Sequence, residues 1–452
     1  MTNPRSRIVA AVAGVISMGA AAAWAADTTP VQTNQDATIR ELQAKVAALE
    51  AKQSVNGQEM NATIDSVLRD AEQRSKLLAT SGEMSAGYED GFYIRAGDAF
   101  VLKPGVFFQF RNVLNFREDT SGAKADEFDN GFEVRRMRLK LNGTAFSKDL
   151  EYSFVWDANR EGGGTSLLDA WVKYMFNDTW GIRGGQFKDP LTHEKLVSSE
   201  KQIAVDRTLA DNLLGGSLYD RVQGVTAIYG GHKESNPLSA EFGITDGGPA
   251  SMNTNFTKHG FDFGIVGRVE YKLMGDWSAY GDFTAKDNKS DLLVVGGALD
   301  WSQAGNGNLL SMTVDAQWEN RAGLGVYGAI LIQNIDDNLT GASSDTTNWG
   351  FVLQGNYVLN PAWEVFGRLD MVLFDDDVAF AGGNTEDTFY ELTAGVNYYL
   401  GANGSWKHRA KFTVDLGFLP NGAPSNQNGI GVLDANDGGT EIVLRSQFQL
   451  VL

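Results

Sequence analysis

The stretch Phe132–Asn142, FEVRRMRLKLN, sets Arg136, Arg138 and Lys140 at alternate positions, with Met137, Leu139 and Leu141 between them. In an extended strand alternate side chains share a face, so the cations line one side and the apolar residues the other. The preceding strand-like stretch, Val106–Phe116, puts Arg111 and then Arg117 in the inward phase. Five cations therefore fall on one patch. Fixed cations exchange an anion's hydration for charge and hydrogen bonds, and the guanidinium fork suits carboxylate and phosphate oxygens. The competing reading is an internal ion-pair ladder with Glu151, Asp157 and Asp169 on the following strands, and at this level both stand. Arg135 falls on the apolar side, near the strand's outer end, where it would meet headgroup or lipopolysaccharide phosphate.

A second cationic group lies in Gly185–Gly224. Strand-like residues lead in and out of it, with Arg221 in the exit strand, and about thirty residues between them show no clean period. A stretch of that length is uncommon in a compact domain and is usually functional or disordered. Leu196, Val197, Ile203, Val205, Leu209, Leu213 and Leu214 argue for burial. The expected arrangement is a constriction, a loop folded into a wide barrel that offers Lys188, Lys195, Lys201 and Arg207 to the passage. Other inward charge is mixed: Lys407, Arg409, Lys411 and Arg445 against Glu364, Asp370, Asp415 and Glu441.

Covalent chemistry has no candidate. The four histidines are dispersed with no H-E-x-x-H, and the absence of cysteine excludes thiolate sites and disulfides. Glu161–Ser166 lacks the lysine of a phosphate loop, and Asp434–Glu441 has Gly438 where a calcium loop needs a ligand. Asp375–Asp377 reads as a solvated acidic loop. No cofactor, metal site or catalytic residue is expected, and a net charge of −19 argues against nucleic acid as a partner.

The elements that would position these residues follow from the period. From Gly91 onward apolar residues alternate with polar ones, as in Leu150–Trp156, Phe261–Leu273, Tyr390–Leu400 and Ile442–Leu452. The strands run to about 10–15 residues, and tryptophans such as Trp180, Trp277, Trp349, Trp363 and Trp406 cluster at their ends, as in membrane-crossing strands with interfacial girdles. Short connections (Phe146–Lys148, Asn177–Thr179, Asn360-Pro361) alternate with long ones rich in Gly, Asn and Asp. The fold class is therefore all-β, a transmembrane antiparallel β-barrel of about sixteen strands, eighteen being possible, with an N-terminal helical coiled-coil segment. Sixteen requires Gly275–Ser290 to be an extended connection rather than a strand. On this register Leu139→Arg should disturb assembly and Gln109→Arg should be tolerated.

Residues 1–25 read as a cleaved leader: Arg5 and Arg7, an apolar run over Ile8–Ala22, and Ala23-Trp24-Ala25 as cleavage site. Residues 26–87 form the helical stalk and linker, with Ile39, Leu42, Val46 and Leu49 on a 3-4-3 spacing, and residues 88–452 the barrel.

Phe132–Asp157, GQFKDP at Gly185–Pro190, DRT at Asp206–Thr208 and RVQG at Arg221–Gly224 resemble the phosphate-selective porin O/P family. The resemblance is spread over roughly residues 91–452. It implies a homotrimeric sixteen-stranded outer-membrane porin with an inward-folded third loop, and makes Arg111, Arg136, Arg138 and Lys140 counterparts, by strand position, of the family's anion-collecting residues. The family's central lysines have no placed equivalents here, and the chain ends in Leu452 where such barrels usually end in an aromatic. The expected function is passive diffusion of small hydrophilic solutes, with a preference for anions such as phosphate. Outer-membrane lipid and lipopolysaccharide would be its surroundings, and the stalk a possible peptidoglycan contact. The alternative is an envelope tether with the barrel as anchor.

Overall fold

The computed structural model describes residues 84–452 except 90, 119–126, 159, 161, 216–220, 249–256, 258–259, 341–343, 379–385, 425–426 and 434–438, together with 43–45, 47 and 66. The leader lies outside the described residues, and so does the coiled-coil stalk apart from those five scattered helical positions.

Eighteen strands are present among the described residues: β1 (Met84–Tyr88), β2 (Phe92–Ala96), β3 (Phe100–Arg117), β4 (Phe128–Ala145), β5 (Ser147–Ala158), β6 (Thr165–Met175), β7 (Trp180–Lys188), β8 (Arg221–Tyr229), β9 (Leu238–Thr245), β10 (Phe263–Met274), β11 (Leu292–Ala304), β12 (Gly307–Glu319), β13 (Leu324–Ile335), β14 (Thr346–Asn360), β15 (Trp363–Leu373), β16 (Thr388–Tyr399), β17 (Ala410–Leu419) and β18 (Glu441–Val451). From β3 to β18 each pairs antiparallel with the next, and β18 returns to β3 (Phe448 opposite Phe110), closing a sixteen-stranded barrel. β1 and β2 are a hairpin outside this count. β18 ends opposite Phe107, and β2 takes over the free edge of β3 from Leu102 to Phe100. The segment after Gly275 is not a strand but a connection with one short helix, Trp277–Tyr280, as the sixteen-strand count requires.

The alternation has the expected physical cause. Leu139, Val269, Leu353, Leu369 and Leu416 point outward and are exposed, whereas Arg111, Glu364, Asp370, Glu391 and Arg445 point inward and are buried. Closure leaves the wall no free edge, which lets strands cross a bilayer. At the short-turn rim asparagines make the turns. The Asn177 carboxamide oxygen accepts from the backbone N–H of Thr179 and Trp180, and Asn320 and Asn360 repeat this for Ala322 and Leu324 and for Ala362 and Trp363. Trp180, Trp363 and Trp406 stay exposed beside these turns, the position of an interfacial girdle. Trp277 does not join them: it is buried, its indole N–H donating to the Asn236 carbonyl, because its connection turns into the barrel.

One register shift alters the reading of the cationic strand. Gln109 pairs with Arg136 but Phe110 pairs with Val134, so Arg135 is an extra residue, a β-bulge. Before it the odd residues face inward, after it the even ones. Arg135 is therefore lumenal rather than lipid-facing, correcting the sequence expectation. Gln109 is inward as expected, but it is 1% exposed, bonded to Gln449 and accepting from Arg136 at 2.7 Å. An arginine there would be crowded by a like charge, so tolerance is not expected.

Candidate functional site

The loop between β7 and β8 fills much of the barrel. It holds two short helices, α1 (His193–Leu196) and α2 (Leu209–Leu214), started by Thr192 and Thr208, whose hydroxyls accept the N–H of Lys195 and Asp211. The Glu194 carboxylate ties the helices together, accepting the Thr208 N–H at 2.9 Å and hydroxyl at 2.8 Å. Val197, Ile203, Ala210 and Leu214 pack on Tyr327, Leu331, Val352 and Phe366 of the wall. Leu209 packs on Phe389, Leu419 and Val443. The apolar residues of this loop were the readable sign that it buries itself.

Its polar seating is as specific. Asp206 is fully buried and bonded to Arg111, to Arg135 at 3.1 Å and to Arg136 at 3.0 Å. Burial alone would push its carboxyl up, but Arg135, Arg111, Arg136 and Arg445 together hold it well below the usual carboxylate range. Backbone groups complete the seat: Val205 N–H donates to Asp415, Ala210 N–H to Asp370, and the Asp206 and Ile203 carbonyls accept from Arg368 and Asn397.

A second element meets the loop from the opposite rim. In the connection 275–291, Tyr280 stacks on the His193 ring at 3.9 Å between centroids, and Phe283 joins the apolar cluster. The other side of His193 bonds Gln317 at 2.7 Å, and burial pushes the imidazole down to about 4. Burial, then the Glu194 charge, pushes Asp211 up to about 7. Sequence reasoning found the connection but missed its part in the constriction. The available signal was the run of aromatics Trp277, Tyr280 and Phe283 in a segment without strand period.

The nine cationic candidates fall into three groups. Arg111, Arg117 and Arg136 are buried in ion pairs: Arg111 with Glu133 and Asp206, Arg117 with Asp129, and Arg136 with Asp206. Lys188 and Arg207 turn back onto the loop rather than toward the passage. Lys188 donates to the carbonyls of Lys195, Leu196 and Val197, and Arg207 to those of Glu194, Lys195 and Val197. These are carbonyls at the end of α1, where a helix leaves acceptors unsatisfied. Lys195 is buried within the same loop. The third group lies on the other side of the barrel: Arg138 pairs with Asp157 and Lys140 with Glu200, both pairs partly exposed, and Arg221, itself buried, pairs with the partly exposed Asp169. Arg183–Glu241 and Lys173–Glu151 extend this arc over β4 to β9, where side chains remain partly exposed, up to 39% at Glu151. On the opposite wall Arg445, Glu391 and Asp415 are 0% exposed beneath the loop. An ion-pair ladder thus exists, but of the three acids expected to pair with the cationic patch only Asp157 does so, with Arg138; Asp169 pairs with Arg221 and Glu151 with Lys173 instead.

Residues 110–334 match the family described as phosphate-selective porin O and P. No curated protein matches the chain. Among solved structures, the fold is shared with an anion-selective porin from Comamonas acidovorans (14% identity, TM-score 0.52, covering 78% of this chain and 99% of that one). OprB of Pseudomonas putida matches at 10% identity with a TM-score of 0.53, covering 78% of this chain and 94% of that one. OmpF of Salmonella typhi, solved with daunomycin, matches at 14% identity with a TM-score of 0.50, covering 81% of this chain and 100% of that one.

Proposed function

We propose, from the premise that this chain is an outer-membrane porin matching the phosphate-selective O and P family over residues 110–334, that solutes cross it along the β4–β9 arc. The observation that carries this reading is the seating of the β7–β8 loop against the other wall through Asp206, Arg111, Arg135 and Arg136. Five cations on the arc each face a carboxylate, so the lining is close to charge-balanced. A paired cation still donates hydrogen bonds to a passing solute but raises local anion concentration less than a free one. The selectivity that fits is broad, for small hydrophilic solutes, with a mild preference for anions. Reversal potential in a salt gradient tests it: Arg138→Gln with Lys140→Gln should shift the preference toward cations, more at low salt than at high. Wild-type selectivity in that double variant would refute it.

Assembly as a homotrimer is supported by the outer face of β3 and β4. There Asn112 donates to Asn130 at 2.7 Å beside the stacked rings of Phe110 and Phe132. Amides facing hydrocarbon are costly, and a neighbouring subunit would cover them. Cross-linking in detergent tests this. Removal of residues 1–25 is read from the sequence alone, and mass spectrometry of the exported protein tests it.

A further inference from the structure

The β4–β9 arc carries an aromatic side chain on its inner face. In β6, Val172 and Tyr174 are exposed on the outer face, so Trp171 and Lys173 point inward. Trp171 stays partly exposed, whereas the inward ring of Phe187 on β7 is fully buried. Its cross-strand neighbours are small: Ser153 on β5 and Gly185 on β7 flank it, and Gly224 on β8 continues the row. Small neighbours leave the flanks of the indole uncovered. The indole N–H makes no hydrogen bond among the described residues and is not buried, so it faces the water of the passage.

Three ion pairs surround this ring. Arg183, paired with Glu241, has its guanidinium carbon 5.9 Å from the Trp171 ring centroid and 3.9 Å from that of Phe187. Lys173, two residues along the same strand face, pairs with Glu151 at 2.8 Å. Asp169, two residues the other way, pairs with Arg221 at 3.0 Å. A partly exposed aromatic face edged by paired charges selects among solutes. An inorganic ion must draw one member of a pair away from its counter-charge before using it. A hydroxyl is donor and acceptor at once, so it bridges an ammonium or guanidinium and its carboxylate without separating them. A ring with hydroxyls at its rim and C–H bonds on its face can lie on the indole while the rim reaches the pairs.

We propose that Trp171, with the Lys173–Glu151, Arg183–Glu241 and Arg221–Asp169 pairs around it, forms a binding subsite for a pyranose sugar within the passage. The C–H face of the sugar lies on the indole, and its hydroxyls bridge the paired charges. The inference rests on the route along β4–β9 and names one class of solute that takes it.

D-glucose is the probe and D-glucitol its control, since the open chain carries hydroxyls but no rigid ring face. In planar bilayers at matched viscosity, glucose should reduce the ion current of the full chain saturably and glucitol should not. Trp171→Ala should weaken the glucose effect at least about threefold, the loss that about 30 Å² of apolar contact with the indole implies. Trp171→Phe, which keeps a flat apolar face, should retain most of it. Trp349→Ala, on the outer face, should respond as wild type. Heat-modifiable migration on a gel verifies that each variant is folded. Equal effects of glucose and glucitol on the wild type, or an unchanged glucose effect in folded Trp171→Ala, overturns the proposal. Trp171→Cys, in a chain without other cysteines, separates this failure from that of the route. If it conducts but resists a membrane-impermeant thiol reagent, the route along β4–β9 is refuted and the subsite with it. If it reacts and loses conductance while the wild type shows no saturable glucose effect, the route stands and the subsite alone is refuted.

Discussion

Replacing Asp206 by asparagine removes the one carboxylate that three arginines share inside the barrel. Removing one partner of a buried ion pair typically costs about 3–5 kcal/mol, because the remaining charge is left buried and unpaired. Here Arg111 retains Glu133 and Arg136 retains Gln109, so the lower end of that range applies. A loss of about 3 kcal/mol lowers the ratio of seated to unseated loop roughly a hundredfold. The wall's strand pairing does not depend on Asp206, so the barrel should still assemble. Two readouts follow. Single-channel conductance should rise and become noisy as the loop leaves the lumen. Trypsin should cut at Lys195, Lys201 or Arg207, which the seated loop protects. Wild-type conductance with wild-type protease resistance in Asp206→Asn would refute the latch. The acid response has a defined sign. A carboxyl held below its ordinary value contributes stability that is complete above about pH 3.8 and declines only as pH falls toward its depressed folded value. Mild acid should therefore not release the loop through Asp206.

His193 and Asp211 should make loop seating nearly independent of pH between about 4 and 6.5. His193, pushed down to about 4, takes up its proton in the unseated state first, so its contribution is complete above 6.5 and is lost on acidification to 4. Asp211, pushed up to about 7, takes up its proton in the seated state first and offsets that loss. In Asp211→Asn, tryptic protection should fall on acidification by up to about 1.4 kcal/mol per pH unit, where wild type stays flat. Leu139→Arg should cost about 2–4 kcal/mol in reversible urea unfolding in lipid, being outward and mid-strand. Gln109→Arg should also destabilise, through the crowded Arg136 rather than through lipid. Deleting Arg135 should leave the heat-modifiable band intact, because it removes only the extra residue and both halves of β4 keep their faces, but should lower the tryptic protection of the loop through the lost Asp206 partner.

The barrel was legible because period-2 alternation over long strands is a direct imprint of a wall with lipid on one side and water on the other. The inward loop was legible through its apolar residues, which an exposed loop would not need. Arg135 was not legible, since a bulge shifts the phase without changing composition, and only pairing with β3 reveals it. Lys188 and Arg207 were inward but misassigned in purpose: a sequence shows a cation near a passage, not the carbonyls at the end of α1 that it satisfies. The connection 275–291 was correctly excluded from the strand count, yet its contact with His193 spans distant parts of the chain that no local pattern joins.

The central claim is that the β7–β8 loop seals one wall and leaves the β4–β9 arc open. Because the chain has no cysteine, one introduced cysteine is a unique probe. Modification by a charged, membrane-impermeant thiol reagent should be rapid and should reduce conductance for Glu151→Cys on the open arc. It should be slow for Thr413→Cys, which lies 1% exposed on the opposite wall, until Asp206→Asn is added. Equal reaction at both positions in the presence of Asp206, or faster reaction at Thr413→Cys, would contradict the account.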